Sequence, residues 1–232
     1  MRIAIPILTL VSAVACLAEG PLTGFPFTDE SLSYTISWPS GLNLGEVRTR
    51  AHRDSGGWEF SFSIDAGIPG FPIKDNYSGR ANADFCSTEF ERDFSHGARK
   101  STEKTTIDRS IETATRKTIP NGGGQSEFSI PDCVKDALTF LFYTRREMGQ
   151  GRVPTAQRTL FGGLYDVSLV YAGEQTIQIA KKPVVTDKLV GSVKGPASSQ
   201  QFEIYFARDP ARTPLLVKVP LSVGAFSMEL VR

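Results

Sequence analysis

Histidine is nearly absent from this chain of 232 residues, which has only His52 and His96. A hydrolase of the Ser-His-Asp kind needs a base beside a nucleophile and an orienting group, and a zinc centre needs three or four His, Cys or carboxylate ligands at short spacing. His52 falls on the polar side of an alternating run and His96 in a Ser-His-Gly turn, so both read as solvated surface residues. Cysteine is scarce as well, three residues with no Cys-x-x-Cys pair, which removes the usual redox motif. Neither sign of charge dominates: 26 Lys and Arg are interspersed with 25 Asp and Glu. That balance excludes a basic face for nucleic acid and a polybasic membrane-surface site. The run 99–117 looks basic, yet Glu103, Asp108 and Glu112 interrupt it, so it reads as a solvated strand face. The chain also lacks an internal repeat and an apolar run long enough to cross a bilayer comfortably.

Three short matches to catalytic patterns lack their context. Asn121-Gly122-Gly123-Gly124 has no following Lys-Ser/Thr to make a phosphate cradle. Ser101-Thr102-Glu103-Lys104 has the Ser-x-x-Lys form of penicillin-binding proteins but lies in a polar, strand-like run instead of opening a buried helix. Asp132 and Asp136 stand one helical turn apart, a spacing that suits acid-base work or a cation, but Asp132 is already accounted for as a helix N-cap. No catalytic residue, metal ligand or cofactor is therefore assigned, and the chain does not read as an enzyme.

What the sequence does contain is ordinary globular material, 40% hydrophobic and 22% charged. Residues 1–18 carry one basic residue, Arg2, then an uncharged apolar run that ends in small residues. This reads as a secretory signal peptide, cleaved after Ala18, which places the mature protein in the periplasm or outside the cell. The alternative is a lipoprotein signal with Cys16 lipidated and the protein anchored at the outer membrane, although Ala13 stands where a bacterial lipobox normally has Leu. Either way no integral membrane segment remains. Cys86 and Cys133 are left as an even pair in an oxidising compartment, which favours a disulfide worth about 4 kcal/mol by loop closure. Its rival is a reactive thiol at Cys133, near the expected N-terminus of a helix.

Beyond a 19–30 linker, strand signals dominate. Tyr34, Ile36 and Trp38 alternate with Ser and Thr, and Trp58, Phe60, Phe62 and Ile64 alternate with Glu59, Ser61, Ser63 and Asp65. Similar runs fill 31–130 and 152–232, among them 164–172 and 175–180, which Gly173-Glu174 separates. Only the stretch 131–149 has a helical period. Asp132 is its expected N-cap, with the helix proper over 133–147. Val134, Ala137, Leu138, Leu141 and Phe142 form one apolar stripe, Arg145 and Arg146 complement the C-terminal dipole, and Gly149 takes the left-handed position beyond it.

Several short motifs resemble those of the bacterial family known as domain of unknown function 3108. The segment from Asp136 through Leu138, Thr139, Phe142 and Tyr143 to Arg145 is similar to its Asp-x-Leu-Ser-x-x-Tyr-Tyr-x-Arg pattern, followed by Gly151. Phe206-Ala207-Arg208-Asp209 with Arg212 and Pro214, Val223-Gly224-Ala225-Phe226, and the opening Leu32 to Trp38 with Gly45 also match. Thr139 replaces the more frequent Ser, and Phe142 the more frequent Tyr. The resemblance implies an exported, β-rich protein of the bacterial envelope with no established activity, and it carries over no catalytic residues.

The expectation is thus a mainly β protein: an antiparallel curved sheet or open β-barrel of about ten to twelve strands in one domain over 31–232, with one helix packed against it. Its concave face is expected to bind a lipid or another apolar small molecule through Trp38, Trp58, Phe60, Phe62, Tyr143 and Arg145. The alternative is a structural protein that docks an envelope partner through a sheet edge or loop.

Overall fold

The computed structural model describes residues 29–231 except 69, 120–122, 197–198 and 222–223. The expected signal segment 1–18 with Cys16, most of the 19–30 linker, Asn121-Gly122 and Val223 lie outside these residues. Eight strands come first: β1 (Asp29–Ser37), β2 (Asn43–Asp54), β3 (Gly57–Ile68), β4 (Phe71–Ala81), β5 (Ser87–His96), β6 (Arg99–Asp108), β7 (Thr113–Ile119) and β8 (Gln125–Ser129). A two-residue strand, β9 (Lys135–Asp136), leads directly into the helix α1 (Ala137–Gly149). Then follow β10 (Gln157–Leu160), β11 (Leu164–Ile179), β12 (Lys182–Lys194), β13 (Ser199–Ala207), β14 (Pro214–Leu221) and β15 (Gly224–Leu230).

All fifteen strands form one open, curved sheet, with β8 at one edge and β9 at the other. Neighbours in the sheet are neighbours in sequence, except that β1 pairs with β15 and so joins the two halves of the chain. Residue alternation explains the curvature's inside and outside. On β2 Val47, Thr49 and Ala51 are buried while Glu46, Arg48 and Arg50 are exposed. The strand count exceeds the ten to twelve expected. The two runs expected at 164–172 and 175–180 are one strand, because a bulge between Tyr171 and Glu174, with Gly173 at φ +90°, absorbs the glycine without turning the chain. β1 starts at Asp29, so Asp29 and Glu30 belong to a strand and not to the linker.

The helix is shorter at its start than its sequence suggests. Its N-cap is Asp136 and not Asp132, and Cys133 precedes it in a turn at φ +51° instead of lying in its first turn. The cause is tertiary: Lys135 and Asp136 pair in parallel with Thr159 and Leu160, which holds the residues before α1 in extended form. Gly149 is the last helical residue, and Gly151 takes the left-handed conformation in its place. Nor is the helix buried along one stripe. No residue from 133 to 149 is exposed, since the sheet wraps it on several sides. Phe140 and Met148 pack on Val167, Leu169, Leu189, Ile204 and Phe206, while Phe142 packs on Trp58, Phe60 and Phe85.

Candidate ligand cavity

Between α1 and the inward faces of the strands flanking the β1–β15 seam lies a cavity of about 500 Å³. Its sheet wall includes Ile36 on β1, Val47 on β2, Ile64 on β3, Phe202 on β13, Val217 on β14 and Phe226 on β15. Its other wall is the helix, through Leu138, Leu141 and Phe142 among others. The size falls within the roughly 300–1,000 Å³ of small-molecule sites, and the lining is overwhelmingly apolar.

Of the residues expected to contact a ligand, Phe62 and Arg145 line this cavity. Trp38 stands one layer away, its ring 4.5 Å from that of Phe226 and nearly perpendicular to it. Trp58 and Phe60 stack behind α1 with Phe85, and Phe60 lies 4.4 Å from Phe142, so they support the helix instead of facing the cavity. Tyr143 points away as well, with the Lys135 ammonium 4.4 Å and the Arg146 guanidinium 4.8 Å from its ring centroid. Burial pushes the Lys135 amine below its usual range, and the Arg146 charge adds to that.

Arg145, expected from the sequence to complement the helix dipole and to contact a ligand, is 1% exposed and acts as a latch. Its Nη1 and Nη2 donate to the two Glu30 carboxylate oxygens at 2.7 Å each, and its Nε donates to the carbonyls of Ala211 (3.0 Å) and Arg212 (3.2 Å). The helix is thereby tied to the start of β1 and to the β13–β14 loop together. Tyr34 reaches the same loop, donating to the Pro214 carbonyl at 3.0 Å, and burial holds its phenol far above the ordinary range. Arg212 pairs with the buried Asp187 at 2.6 Å, and Tyr171 donates to the same carboxylate at 2.9 Å. Motifs distant in the sequence thus meet in one network.

At the other end of α1, the Asp136 carboxylate accepts from Ser87 Oγ and Thr139 Oγ1, both at 2.6 Å, and from the backbone N–H groups of Leu138 (2.9 Å) and Thr139 (3.0 Å). Thr139 supplies the hydroxyl that Ser would. Gly79 passes so close that a Cβ there would lie 2.9 Å from the carboxylate. Complete burial pushes the Asp136 carboxyl up, against the pull of its four hydrogen bonds. Asp132 is exposed and pairs with Arg109 at 2.9 Å, so the two carboxylates do not form a shared site. Cys86 and Cys133 form a disulfide that ties the segment before α1 to the start of β5.

His96 is more engaged than its turn context suggests. Its Nε2 meets the buried Asp75 carboxylate at 2.9–3.0 Å, and Tyr77, on the cavity wall, donates to the same carboxylate at 3.0 Å. Burial, reinforced by the Asp75 charge, pushes the Tyr77 phenol well up. This cluster joins Asp75 and Tyr77, two positions apart on β4, to His96 on the neighbouring β5. Among the described residues no group of three or more His, Cys, Asp or Glu is placed to hold a metal ion, and no helix is long and apolar enough to cross a membrane.

Comparison with known proteins places this architecture in context. The sequence model of a family described as a protein of unknown function, DUF3108, matches residues 33–231. No curated protein matches the chain. Among solved structures, the chain is similar to a beta-barrel-like protein of domain of unknown function DUF1849 from Brucella abortus, at 7% identity and a TM-score of 0.64 over 89% of this chain and 97% of that one. A weaker likeness, to the lipoprotein LppX from Mycobacterium tuberculosis, has 12% identity and a TM-score of 0.27 over 86% and 85% of the two chains. The first establishes a shared barrel-like fold, and the second is too distant to support any argument.

Proposed function

The chain belongs to the DUF3108 family, and from that premise we propose that it is an exported, non-enzymatic envelope protein that holds a lipid-like apolar molecule between α1 and the sheet. The observation that carries the reading is the apolar cavity of about 500 Å³. A tightly packed interior has few voids larger than a water molecule. A ligand with about ten methylenes would contribute about 8 kcal/mol of gross transfer free energy there, partly offset by its loss of freedom. Phe62 and the helix residues Leu138 and Leu141 are its expected contacts, Trp38 supports Phe226 from behind, and Arg145 holds the helix wall in place. Residues 31–232 act as one domain on this reading, because a single continuous sheet runs through both halves of the chain. The location we propose is the periplasm or the cell exterior, or the outer membrane if Cys16 is lipidated.

The test is native mass spectrometry of protein purified from the envelope without detergent. An apolar mass should accompany the wild type, disappear on organic extraction, and be absent from Val217→Trp, whose indole would occupy the cavity. If the wild type carries no such mass and the extracted protein takes up no fluorescent fatty probe, the reading fails. One observation favours the alternative of a docking scaffold: β8 is a sheet edge paired only with β7. Cross-linking in the envelope checks it, and recovery of monomer alone would count against a partner.

A further inference from the structure

Single exposed apolar side chains are ordinary on a protein surface, so it is their placement that counts. Among the described residues Leu42 is 58% exposed, Phe71 45% and Ile119 54%. Leu42 lies in the β1–β2 turn, Phe71 opens β4 just after the β3–β4 turn, and Ile119 ends β7 just before the β7–β8 turn. Because the strands from β1 to β8 are antiparallel in succession, all three turns lie at one end of the sheet. The β5–β6 turn joins them there, with Gly97 so close to Phe71 that an added Cβ would lie 3.1 Å from its ring. Trp38 closes the β1–β2 turn by donating its backbone N–H to the Leu42 carbonyl at 2.9 Å, and its ring rests on Phe226 of the cavity wall.

The helix closes the opposite end. Its cap, Asp136, meets Gly79 and Ser87 on either side of the β4–β5 turn, and Arg145 meets the start of β1 and the β13–β14 loop. Among the described residues α1 is the only helix, so none covers the end where Leu42, Phe71 and Ile119 lie. The cavity extends toward that end, because Ile36, Val193, Val219 and Phe226 of its wall are all close to the strand ends on that side. We infer that this end is a membrane-docking tip: Leu42, Phe71 and Ile119, with Trp38 behind them, enter the interfacial region of a lipid bilayer. The uncovered end of the cavity then faces the bilayer, and an apolar ligand passes between the two without crossing water. Leu42 and Phe71 stand two strand spacings apart, about 10 Å, and Ile119 three further, about 14 Å. Polar residues such as Ser40 and Asn43 separate them. A folded partner needs a continuous complementary patch, whereas a fluid bilayer accepts such side chains one by one, and aromatic rings suit its interface. Arg99 and Lys100 lie at the same end, in the β5–β6 hairpin, so attraction to anionic lipid is the rival cause of binding, and salt separates the two.

The passage of ligand rests on the cavity being a ligand site, whereas the docking does not, and the experiment separates them. Protein is floated with zwitterionic phosphatidylcholine vesicles at low and high salt, every form carrying Cys16→Ser so that no lipid anchor contributes. The otherwise unchanged protein should float equally well at both salt concentrations. Brominated acyl chains should quench Trp38 and spare Trp58, which is buried beside α1 at the other end. Leu42→Ser with Phe71→Ser should weaken vesicle binding about tenfold or more and remove the quenching. Ile111→Ser, an exposed apolar residue in the β6–β7 turn at the other end, should change neither. Leu42 and Phe71 lie outside the cavity lining, so the double variant should bind a fluorescent fatty probe as tightly as before but deliver it to vesicles about tenfold more slowly. Binding that needs anionic lipid and vanishes at high salt, undiminished binding by the double variant, or an equal loss in Ile111→Ser would each overturn the docking tip. Delivery whose rate does not rise with vesicle concentration would overturn direct passage and leave docking in place. Docking through Leu42 and Phe71 by a protein that takes up no probe would overturn the cavity reading, and passage with it, while the tip stands.

Discussion

Around β5 to β8 the concave face is filled by the chain itself, whereas around the β1–β15 seam the same kind of face encloses a cavity. In the first region the 160–164 loop enters the sheet's curve. Leu160 packs with Phe90, Ala114, Ile130 and Val134, and Arg116 donates to the Gly162 carbonyl. Arg92 lies over Phe161 at 5.6 Å and pairs with Glu103 at 2.9 Å. In the second region the main covering element is α1, a rigid rod held at its two ends by Asp136 and Arg145, with Thr159 and Phe161 closing the side toward the filled region. A loop can follow a curved surface, while a straight helix across a curved sheet leaves space beside it. The difference between a packed interior and a binding cavity therefore lies in what covers the sheet, not in the strands.

The largest expected effect tests that contrast directly. Replacing Arg145 by Leu strands Glu30 without its partner and should cost about 3–5 kcal/mol in urea unfolding, with loss of lipid uptake. The matching change in the filled region, Arg92→Leu, also strands a half-buried carboxylate, Glu103, but removes a more exposed arginine that donates to no backbone carbonyl, and should cost less, about 1–3 kcal/mol. Equal losses at the two sites would erase the distinction between a latch that ties three segments together and a pair that joins two neighbouring strands. Next comes the disulfide: Cys86→Ser with Cys133→Ser should lower stability by about 4 kcal/mol at most, read from the same unfolding curves. Smaller again is Gly162→Ala. Gly162 has φ +69°, and an added Cβ would lie 2.6 Å from the Arg92 guanidinium carbon, so a loss of about 1–3 kcal/mol is expected, without change in lipid uptake. Impaired uptake in that variant would show that the two regions are coupled.

The smallest effect is a pH dependence. Burial raises the Asp136 pKa in the folded protein above its unfolded value. Its contribution is therefore fully present below the ordinary carboxylate range and is lost as pH rises through the raised value. The stability advantage of wild type over Asp136→Asn should be greatest in acid and narrow toward neutral pH. A constant difference across thermal melts in that range would remove Asp136 as the titrating group.

Much of this was legible beforehand, for reasons that particular residues make plain. The alternation of Phe60, Phe62 and Ile64 identified a strand and its inward face, but not that Phe62 borders a cavity while Phe60 stacks on Phe142. The even pair Cys86 and Cys133 pointed to the disulfide that is present. The family motifs were visible as strings, yet their meaning was spatial: Arg145 meets the Ala211 and Arg212 carbonyls, and Tyr34 meets the Pro214 carbonyl.

By itself the sequence determined the two-residue period of the strands and the single helical run, both governed by residues near one another along the chain, and, through an even cysteine count, the pairing of Cys86 with Cys133. Only the tertiary structure decided where the helix begins, since Asp136 displaces Asp132 as its cap through contacts with Ser87 and with β10. It likewise decided that Arg145 is buried and that space remains beside the helix. Those outcomes depend on groups as far apart as Glu30 and Arg145, brought together when β1 pairs with β15, and no local pattern encodes that meeting.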